Sequence, residues 1–415
     1  MAKKKRSKRQ SIRNSDFFSE PLYGMDLNFK ADGNRSAGPA ETNDILQHGK
    51  EDLAEVLAKA LKYSGREERE THGFHTYPAG MHPDCAADII AVCPGAVHDP
   101  FCGGGTVLVE GILANRATSG TDISPIALLV AATRTAPMHM ATPLRSAARK
   151  VAEYAKQPIE VIVPEEVTTW YEPHVAQELG RLRDGILKMD PAVQPLLNTV
   201  FSSILIKTSF RNSDTSNHRT PTQRPPGTCL TLFHKKARLL GRALEFLPKN
   251  LPSANLRHGD ARVIKPPGKV DLILTSPPYP GVYDYLPMQQ LRYAWLGLNP
   301  GPDYTKEIGS RRNFRSKGHD DAIKAWQKDT KKWITTQSSA LNPGGRMAIV
   351  VGDGLVGDRQ IDTLHPTIKA MEAAGLTIIA RASANRPDHA RNSTRTEHLI
   401  MGELQVSETD STPSS

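Results

Sequence analysis

The apolar run Val270-Asp271-Leu272-Ile273-Leu274-Thr275 ends abruptly in Ser276-Pro277-Pro278-Tyr279, and no other stretch constrains the chain as much. The run reads as a buried strand. Pro277 and Pro278 fix φ at about −65° and donate nothing to a ladder, so the strand stops there and the turn is stiff. A hydroxyl, a carbonyl and a flat ring are thereby held at one point. Open α/β sheets bind their ligands at the carboxyl ends of parallel strands. A bare Pro-Pro pair has a blander reading as a simple turn. A second motif upstream decides against it.

Ala96 to Asp99 reads as a short strand entering Asp99-Pro100-Phe101-Cys102-Gly103-Gly104-Gly105-Thr106. A helix from Val107 to Leu113, a strand from Ala117 to Asp122 and a helix from Ser124 to about Thr133 follow. The second strand ends in an acid 23 residues after the first acid. This is the order of a dinucleotide-like half, in which glycines let the backbone approach a ligand and the second acid accepts ribose hydroxyls. Before it, Leu46, Leu53, Val56, Leu57 and Ala60 recur at helical spacing, predicting an amphipathic helix from Asp44 to about Leu61. A loop rich in rings, Gly73 to Pro83, and a helix from Pro83 through Ile90 come next.

Residues 136–250 break this alternation and predict a largely helical insertion, with helices over Pro164–Leu187, Pro191–Ile206 and Phe233–Leu247. Between the last two lies a polar loop, Thr208 to Thr228. From Lys207 to Arg242, Lys207, Arg211, Arg219, Arg224, Lys235, Lys236, Arg238 and Arg242 stand against one acid, Asp214. Such a concentration marks a candidate nucleic-acid face; a solvated helical insert is the competing reading. The strand pattern resumes at Asn255–Arg262 and runs into the opening motif. A helix around Leu286 to Trp295 precedes a second basic loop, Tyr304 to Lys317, holding Lys306, Arg311, Arg312, Arg315 and Lys317. A helix over Ala322–Ala340, a strand over Arg346–Val351, a helix over Thr367–Ala374 and strands over Leu376–Ala380 and Glu397–Met401 complete the pattern.

At 415 residues the chain is long for one domain. The net charge is +9, but residues 1–13 alone carry +7, so the high pI belongs mostly to one tail. Residues 1–45 predict a disordered basic arm and 405–415 a disordered tail. No window approaches the ~18 uncharged apolar residues of a membrane span. The start also lacks the apolar core of a signal peptide, so a cytoplasmic site is expected. Cys85, Cys93, Cys102 and Cys229 show no C-x-x-C spacing, which speaks against a structural zinc or a disulfide framework.

The Asp99–Thr106 loop together with Thr275-Ser276-Pro277-Pro278-Tyr279 resembles the paired signatures of the S-adenosylmethionine-dependent DNA amino-methyltransferases. The likeness covers about Gly73–Ala136 and Asn255–Glu403. It implies a Rossmann-like class I methyltransferase fold, with a seven-stranded, mostly parallel sheet, helices on both faces and one antiparallel strand near an edge. The cofactor-binding half would be 46–135 and the catalytic half 251–404, with 136–250 as a possible target-recognition region. By this resemblance His75 and Tyr77 lie in the segment over the methionine part of the cofactor. Asp99, Gly103 and Gly105 line that part, and Phe101 and Thr106 also belong to the cofactor site. Asp122 binds the ribose, Ile123 packs on adenine, and Asp260 accepts from the adenine amino group; for Asp260 a turn role after Gly259 stays open.

The resemblance also implies that Ser276 and the Pro277 carbonyl hold an amino group of a flipped base, on a turn stiffened by Pro278, and that Tyr279 stacks on the base. Serine in the first position goes with cytosine N4 in the family, and adenine N6 stays open. The expected partner is DNA, with Lys207, Arg211, Arg219, Arg224, Lys235, Lys236, Arg311, Arg312 and Arg315 as candidate contacts, and no metal. An RNA amino-methyltransferase and a non-catalytic protein that keeps the fold are the alternatives.

Overall fold

A computed structural model describes residues 45–405, apart from 66, 215, 357–358 and 389–392. The expected basic arm, except for residue 45, and the tail from 406 onward lie outside the described residues. The alternation of strands and helices forms one eight-stranded sheet in the order β1-β11-β12-β8-β7-β2-β3-β6. Its strands are β1 (Leu46–Gly49), β2 (Val97–Asp99), β3 (Thr118–Asp122), β6 (Asn255–His258), β7 (Val270–Thr275), β8 (Leu341–Gly352), β11 (Leu376–Asp388) and β12 (Ser393–Leu404). Two small hairpins stand apart, β4 (Arg211–Ser213) with β5 (Ser216–Arg219) and β9 (Gly354–Val356) with β10 (Arg359–Ile361).

The strands from β6 to β8 pair in parallel, and β12 runs antiparallel to both β8 and β11. The expected class I arrangement is therefore present, with one strand more than the seven predicted. The extra strand is β1, inside the stretch read as continuous helix. Leu46 is exposed, and the segment lies along β11 from Leu46↔Ser383 to Gly49↔Ala380. Gly49 has φ +103°, and a Cβ there would stand 2.3 Å from the Ile379 carbonyl oxygen. Only glycine permits that approach. The helix α1 begins after it and spans Glu51–Lys62, burying Leu53, Leu57 and Leu61.

Around the sheet stand α2 (Pro83–Val92), α3 (Thr106–Leu113), α4 (Pro125–Arg134), α12 (His319–Ser338) and α13 (Leu364–Ala373). The insertion is helical: α5 (Ala141–Ala155), α6 (Pro173–Leu187), α7 (Gln194–Thr208) and α8 (Thr228–Glu245). It has its own core, including Leu144, Val151, Leu179, Phe201, Phe233 and Leu240, joined by the fully buried Trp295. Sequence reading passed over α5, whose buried face is largely alanine, at 147, 148, 152 and 155, and so lacks apolar contrast. The two basic loops also hold structure: the β4–β5 hairpin in the first, and α11 (Arg311–Lys317) in the second. Two short helices, α9 (Tyr285–Met288) and α10 (Gln290–Leu296), follow the Pro-Pro turn.

What this architecture positions is the junction of β2 and β7. From β2 the chain moves through α3 to β3 on one side, while β7 leads to β8 on the other. At such a reversal the strand ends part and leave a crevice. Asp99, Asp122 and Thr275 are the last residues of the three strands that meet there.

Candidate active site

One cleft opens at this junction. Its walls include Tyr77 and Met81, the Asp99–Gly104 turn with Thr106, Asp122 and Ile123, Asp260, Ser276 and Pro278, and Tyr285, Leu286, Glu307 and Ile308. The two motifs that lie far apart in sequence are therefore walls of one space. They are also bonded to each other: the Thr275 hydroxyl donates to Asp99 Oδ1 at 2.6 Å. The Phe101 N–H donates to the same oxygen at 3.1 Å. Asp99 is only 4% exposed, and burial lifts its carboxyl to about 7.

The glycine turn has the backbone that the motif requires. Gly103 and Gly105 have φ of +48° and +81°, a region costly for side chains bearing Cβ. A Cβ on Gly104 would stand 2.9 Å from Arg134 Nη1, and one on Gly105 3.0 Å from Ala131. Gly105 caps α3 rather than facing the cleft, so its part is to let the turn enter the helix.

The two acids expected to grip the cofactor differ. Asp122 accepts backbone donors, Gly103 N–H on Oδ2 and Ser124 N–H on Oδ1, both at 2.8 Å. Each oxygen keeps lone-pair capacity for a further donor. Burial pushes its pKa up, and those N–H groups oppose the shift. Asp260 also lines the cleft, but Arg262 grips it in a fork, with Nη2 at 2.7 Å from Oδ2 and Nε at 3.0 Å from Oδ1. The Arg262 backbone N–H adds a third donor at 2.9 Å. Its carboxylate is a structural anchor first.

The segment Phe74–Ala79 lies across the glycine turn. The guanidinium of Arg134 holds it there, donating to the carbonyls of Phe74 at 3.0 Å, His75 at 2.7 Å and Gly104 at 2.9 Å. Arg134 is buried at the end of α4, and its signal in the sequence was weak: one basic residue at a helix terminus. The segment places Tyr77 on the cleft wall, but the expectation for His75 needs correction. Its ring is 1% exposed and turns to α7, with Nε2 at 2.9 Å from Ser202 Oγ. Burial, and then the Arg292 and Arg134 charges, keep it neutral. It fastens the segment to the insertion.

The Pro-Pro turn contributes Ser276 and Pro278 to the cleft, while Pro277 is buried behind them. Tyr279 is not among the residues lining the cleft, a correction to the expectation for it, and it is held by residues no local motif could reveal. Its hydroxyl donates to Glu397 Oε1 at 3.0 Å, and Arg386 Nε holds Glu397 Oε2 at 3.0 Å. Its ring lies against Gly352, where a Cβ would meet ring carbon at 2.7 Å. The Arg395 guanidinium stands 5.7 Å from the ring centre. Sequence reading also missed Glu307, 5% exposed, which accepts from the Tyr285 N–H and from Arg312 Nη2 at 2.9 Å. Burial lifts its carboxyl to about 7.

The candidate basic contacts divide in two. Arg211 is 6% exposed, with Nη1 donating to the Met288 carbonyl at 2.8 Å, so its role is to hold the fold rather than to face a polyanion. Arg311 and Arg312 are half-buried: Arg311 caps the Val282 carbonyl, and Arg312 joins Glu307 and Asp284. Lys207, Arg219 and Arg315 are exposed, and Arg224, Lys235 and Lys236 half-exposed. Among the described residues no cluster of His, Cys, Asp or Glu could hold a metal. None of their helices is long and apolar enough to cross a membrane. All four cysteines are buried free thiols.

No family model matches the chain. Among curated proteins it is similar to the Type II methyltransferase M.MvaI of Kocuria varians, 25% identical over 198 residues. That match covers 42% of this chain and 42% of the relative, so the chain matches less than half the relative's length. Among solved structures, TrmN from Thermus thermophilus aligns at TM-score 0.29 and 11% identity, over 78% of this chain and 48% of that one. The rRNA methyltransferase aviRa from Streptomyces viridochromogenes aligns at TM-score 0.33 and 13% identity, over 83% and 94%. Scores this low carry no argument; the fold stands on the strand order and the site on its own geometry.

Proposed function

We propose that this chain is an S-adenosylmethionine-dependent methyltransferase that modifies the exocyclic N4 amino group of cytosine in DNA. The observation that carries the reading is the single cleft that joins the Asp99–Asp122 half to the Ser276–Pro278 half. The partial likeness to a Type II methyltransferase supports the reaction class. The residues fit the cofactor. Asp122 retains acceptor capacity for two ribose hydroxyls, and Asp99 offers a carboxylate to an ammonium. Gly103 and Gly104 present backbone to the cleft, and Ile123, Phe101 and Ile308 supply apolar walls for a purine.

When bound, the cofactor supplies a methyl group on a positively charged sulfur. The protein's task is to present a nucleophile. An exocyclic amino nitrogen is a poor one because its lone pair is delocalised into the ring. The Ser276 hydroxyl and the Pro277 carbonyl accept its two hydrogens and favour a pyramidal nitrogen, which frees the lone pair toward the methyl. This is positioning and electrostatic stabilisation, with no covalent enzyme intermediate. As the new N–C bond forms and the S–C bond breaks, the surplus proton leaves the nitrogen to water. Cytosine is favoured over adenine in this reading because Ser276, before Pro277, is the residue that the resembled family pairs with cytosine N4. Transfer of tritiated methyl to duplex DNA against total RNA tests the reading. Label in DNA is expected; label found only in RNA, or no cofactor binding by calorimetry, overturns it.

A further inference from the structure

We propose that Arg395 grips the backbone phosphate of the nucleotide whose base enters the cleft. The inference rests on the activity proposed for that cleft. Its first support is a pair of like charges in the long β11–β12 hairpin. Arg386 and Arg395 stand directly opposite each other. Side chains at such a pair share one face of the sheet, and like charges there repel. Glu397, two residues on from Arg395 along β12, shares that face. It neutralises only Arg386, whose Nε holds Glu397 Oε2 at 3.0 Å. The Nη groups of Arg386 donate to the carbonyls of Leu61 and Tyr63 at the end of α1. The other oxygen, Glu397 Oε1, accepts from the Tyr279 hydroxyl at 3.0 Å. Arg386 is 6% exposed, whereas Arg395 is half-exposed and forms no ion pair among the described residues. A second guanidinium there costs the hairpin stability unless an anion offsets the repulsion.

The second support is where Arg395 stands. The pairing of β12 with β8 runs only as far as Glu397↔Gly352, and Gly352 ends β8. Arg395 therefore lies past the carboxyl end of β8, at the same edge where β7 gives way to the Pro-Pro turn. Its guanidinium is 5.7 Å from the Tyr279 ring centre, and the Tyr279 hydroxyl is 3.5 Å from Ser276 Oγ. Burial raises the phenol of Tyr285, a lining residue, and the Arg395 charge opposes that rise. Arg395 thus stands beside the cleft without being one of its walls.

The third is the shape of the substrate. In cytosine the amino group and the glycosidic nitrogen lie across the ring from each other. With the amino group at Ser276, the sugar and phosphate extend away from it, out of the cleft. The phosphate is the full charge that such a nucleotide carries, and a guanidinium fork matches its oxygens. A contact of this kind positions the strand and reads no sequence. Holding the phosphate orients the base toward the methyl donor and offsets part of the cost of unstacking.

The test uses short duplexes that carry a site first located by sequencing methylated plasmid DNA. In a second set, neutral methylphosphonates replace the phosphates flanking the target nucleotide. On natural duplex, Arg395→Ala should raise KM for DNA on the order of ten- to a hundredfold, with cofactor affinity by calorimetry unchanged. The neutral linkages should raise the wild-type KM by a similar factor and leave that of Arg395→Ala where it is. Arg395→Lys should regain part of the loss on natural DNA. A wild-type KM in Arg395→Ala, or a variant penalised by the neutral linkages as much as wild type, would overturn the grip and leave the activity standing. Wild-type protein that transfers no methyl to DNA would overturn the activity, and this inference with it. If Arg395→Ala loses cofactor affinity, Arg395→Gln carries the comparison by the same readouts.

Discussion

The two walls of the cleft are built by different means. On the glycine side the working groups are backbone, and Asp122 beside them is bonded within the same strand–turn–helix unit, taking its N–H donors from Gly103 and Ser124. On the Pro-Pro side the turn is local, but its aim is not. Tyr279, behind the lining residues, is held by Glu397, and the backbone N–H of the cleft-lining Tyr285 is held by Glu307. A wall of backbone carries its instructions in a few adjacent residues. A wall of side chains borrows them from distant parts of the chain, a strand for Glu397 and a loop for Glu307. Substitutions on the two sides should therefore separate cofactor binding from turnover.

The largest effect is expected on the side-chain wall. Ser276→Ala removes one acceptor for the amino group and should lower turnover on the order of 10²-fold or more, with cofactor affinity nearly intact. Single-turnover rates and calorimetry on the same protein check both halves; equal turnover would break the comparison. On the glycine wall the order reverses. Asp122→Ala should weaken cofactor binding by roughly 1–3 kcal/mol through lost charge-assisted hydrogen bonds. An unchanged dissociation constant would remove Asp122 from the site.

Asp99, which links the walls through Thr275, yields a pH signature. Its folded value of about 7 lies above the roughly 3.9 of an unfolded aspartate. Between these values the folded chain holds the extra proton, so this group's contribution to stability falls as pH rises through that window and stays low above it. Asp99→Asn should therefore raise the melting temperature at pH 8, corresponding to roughly 1–3 kcal/mol, and change it little near pH 4. The same variant should bind the cofactor's ammonium less well at pH 8. Equal melting shifts at both pH values would contradict the assignment. The smallest effect is expected at Asp260, which Arg262 already occupies. Asp260→Asn should change cofactor affinity by less than about 1 kcal/mol, and a loss as large as that of Asp122→Ala would restore Asp260 to direct ligand contact.

What was legible in the sequence follows the same division. Strand, glycine turn, helix and acid could be read at 96–122 because φ freedom and apolar spacing are local properties. The strand ending at Thr275 could be read because two prolines stop a ladder. His75 was misjudged because its neighbour Tyr77 does reach the cleft, and only tertiary packing turns the imidazole to Ser202. Arg211 counted as part of a basic face, since charge density does not show which guanidinium is buried against Met288 and Asp214. The strand β1 hid in a helical pattern because its pairing with β11 is set by one glycine and a partner some 330 residues away. Glu307, Glu397 and Arg134 carry no motif at all.

The central claim is that the cleft joins a methyl donor to an amino group of a DNA base. The most direct measurement is mass spectrometry of nucleosides from duplex DNA incubated with the protein and S-adenosylmethionine. The account predicts N4-methylcytosine, absent when Ser276→Ala replaces the wild type. N6-methyladenine would keep the cleft and overturn the reading of Ser276, and no methylated base in DNA would contradict the account.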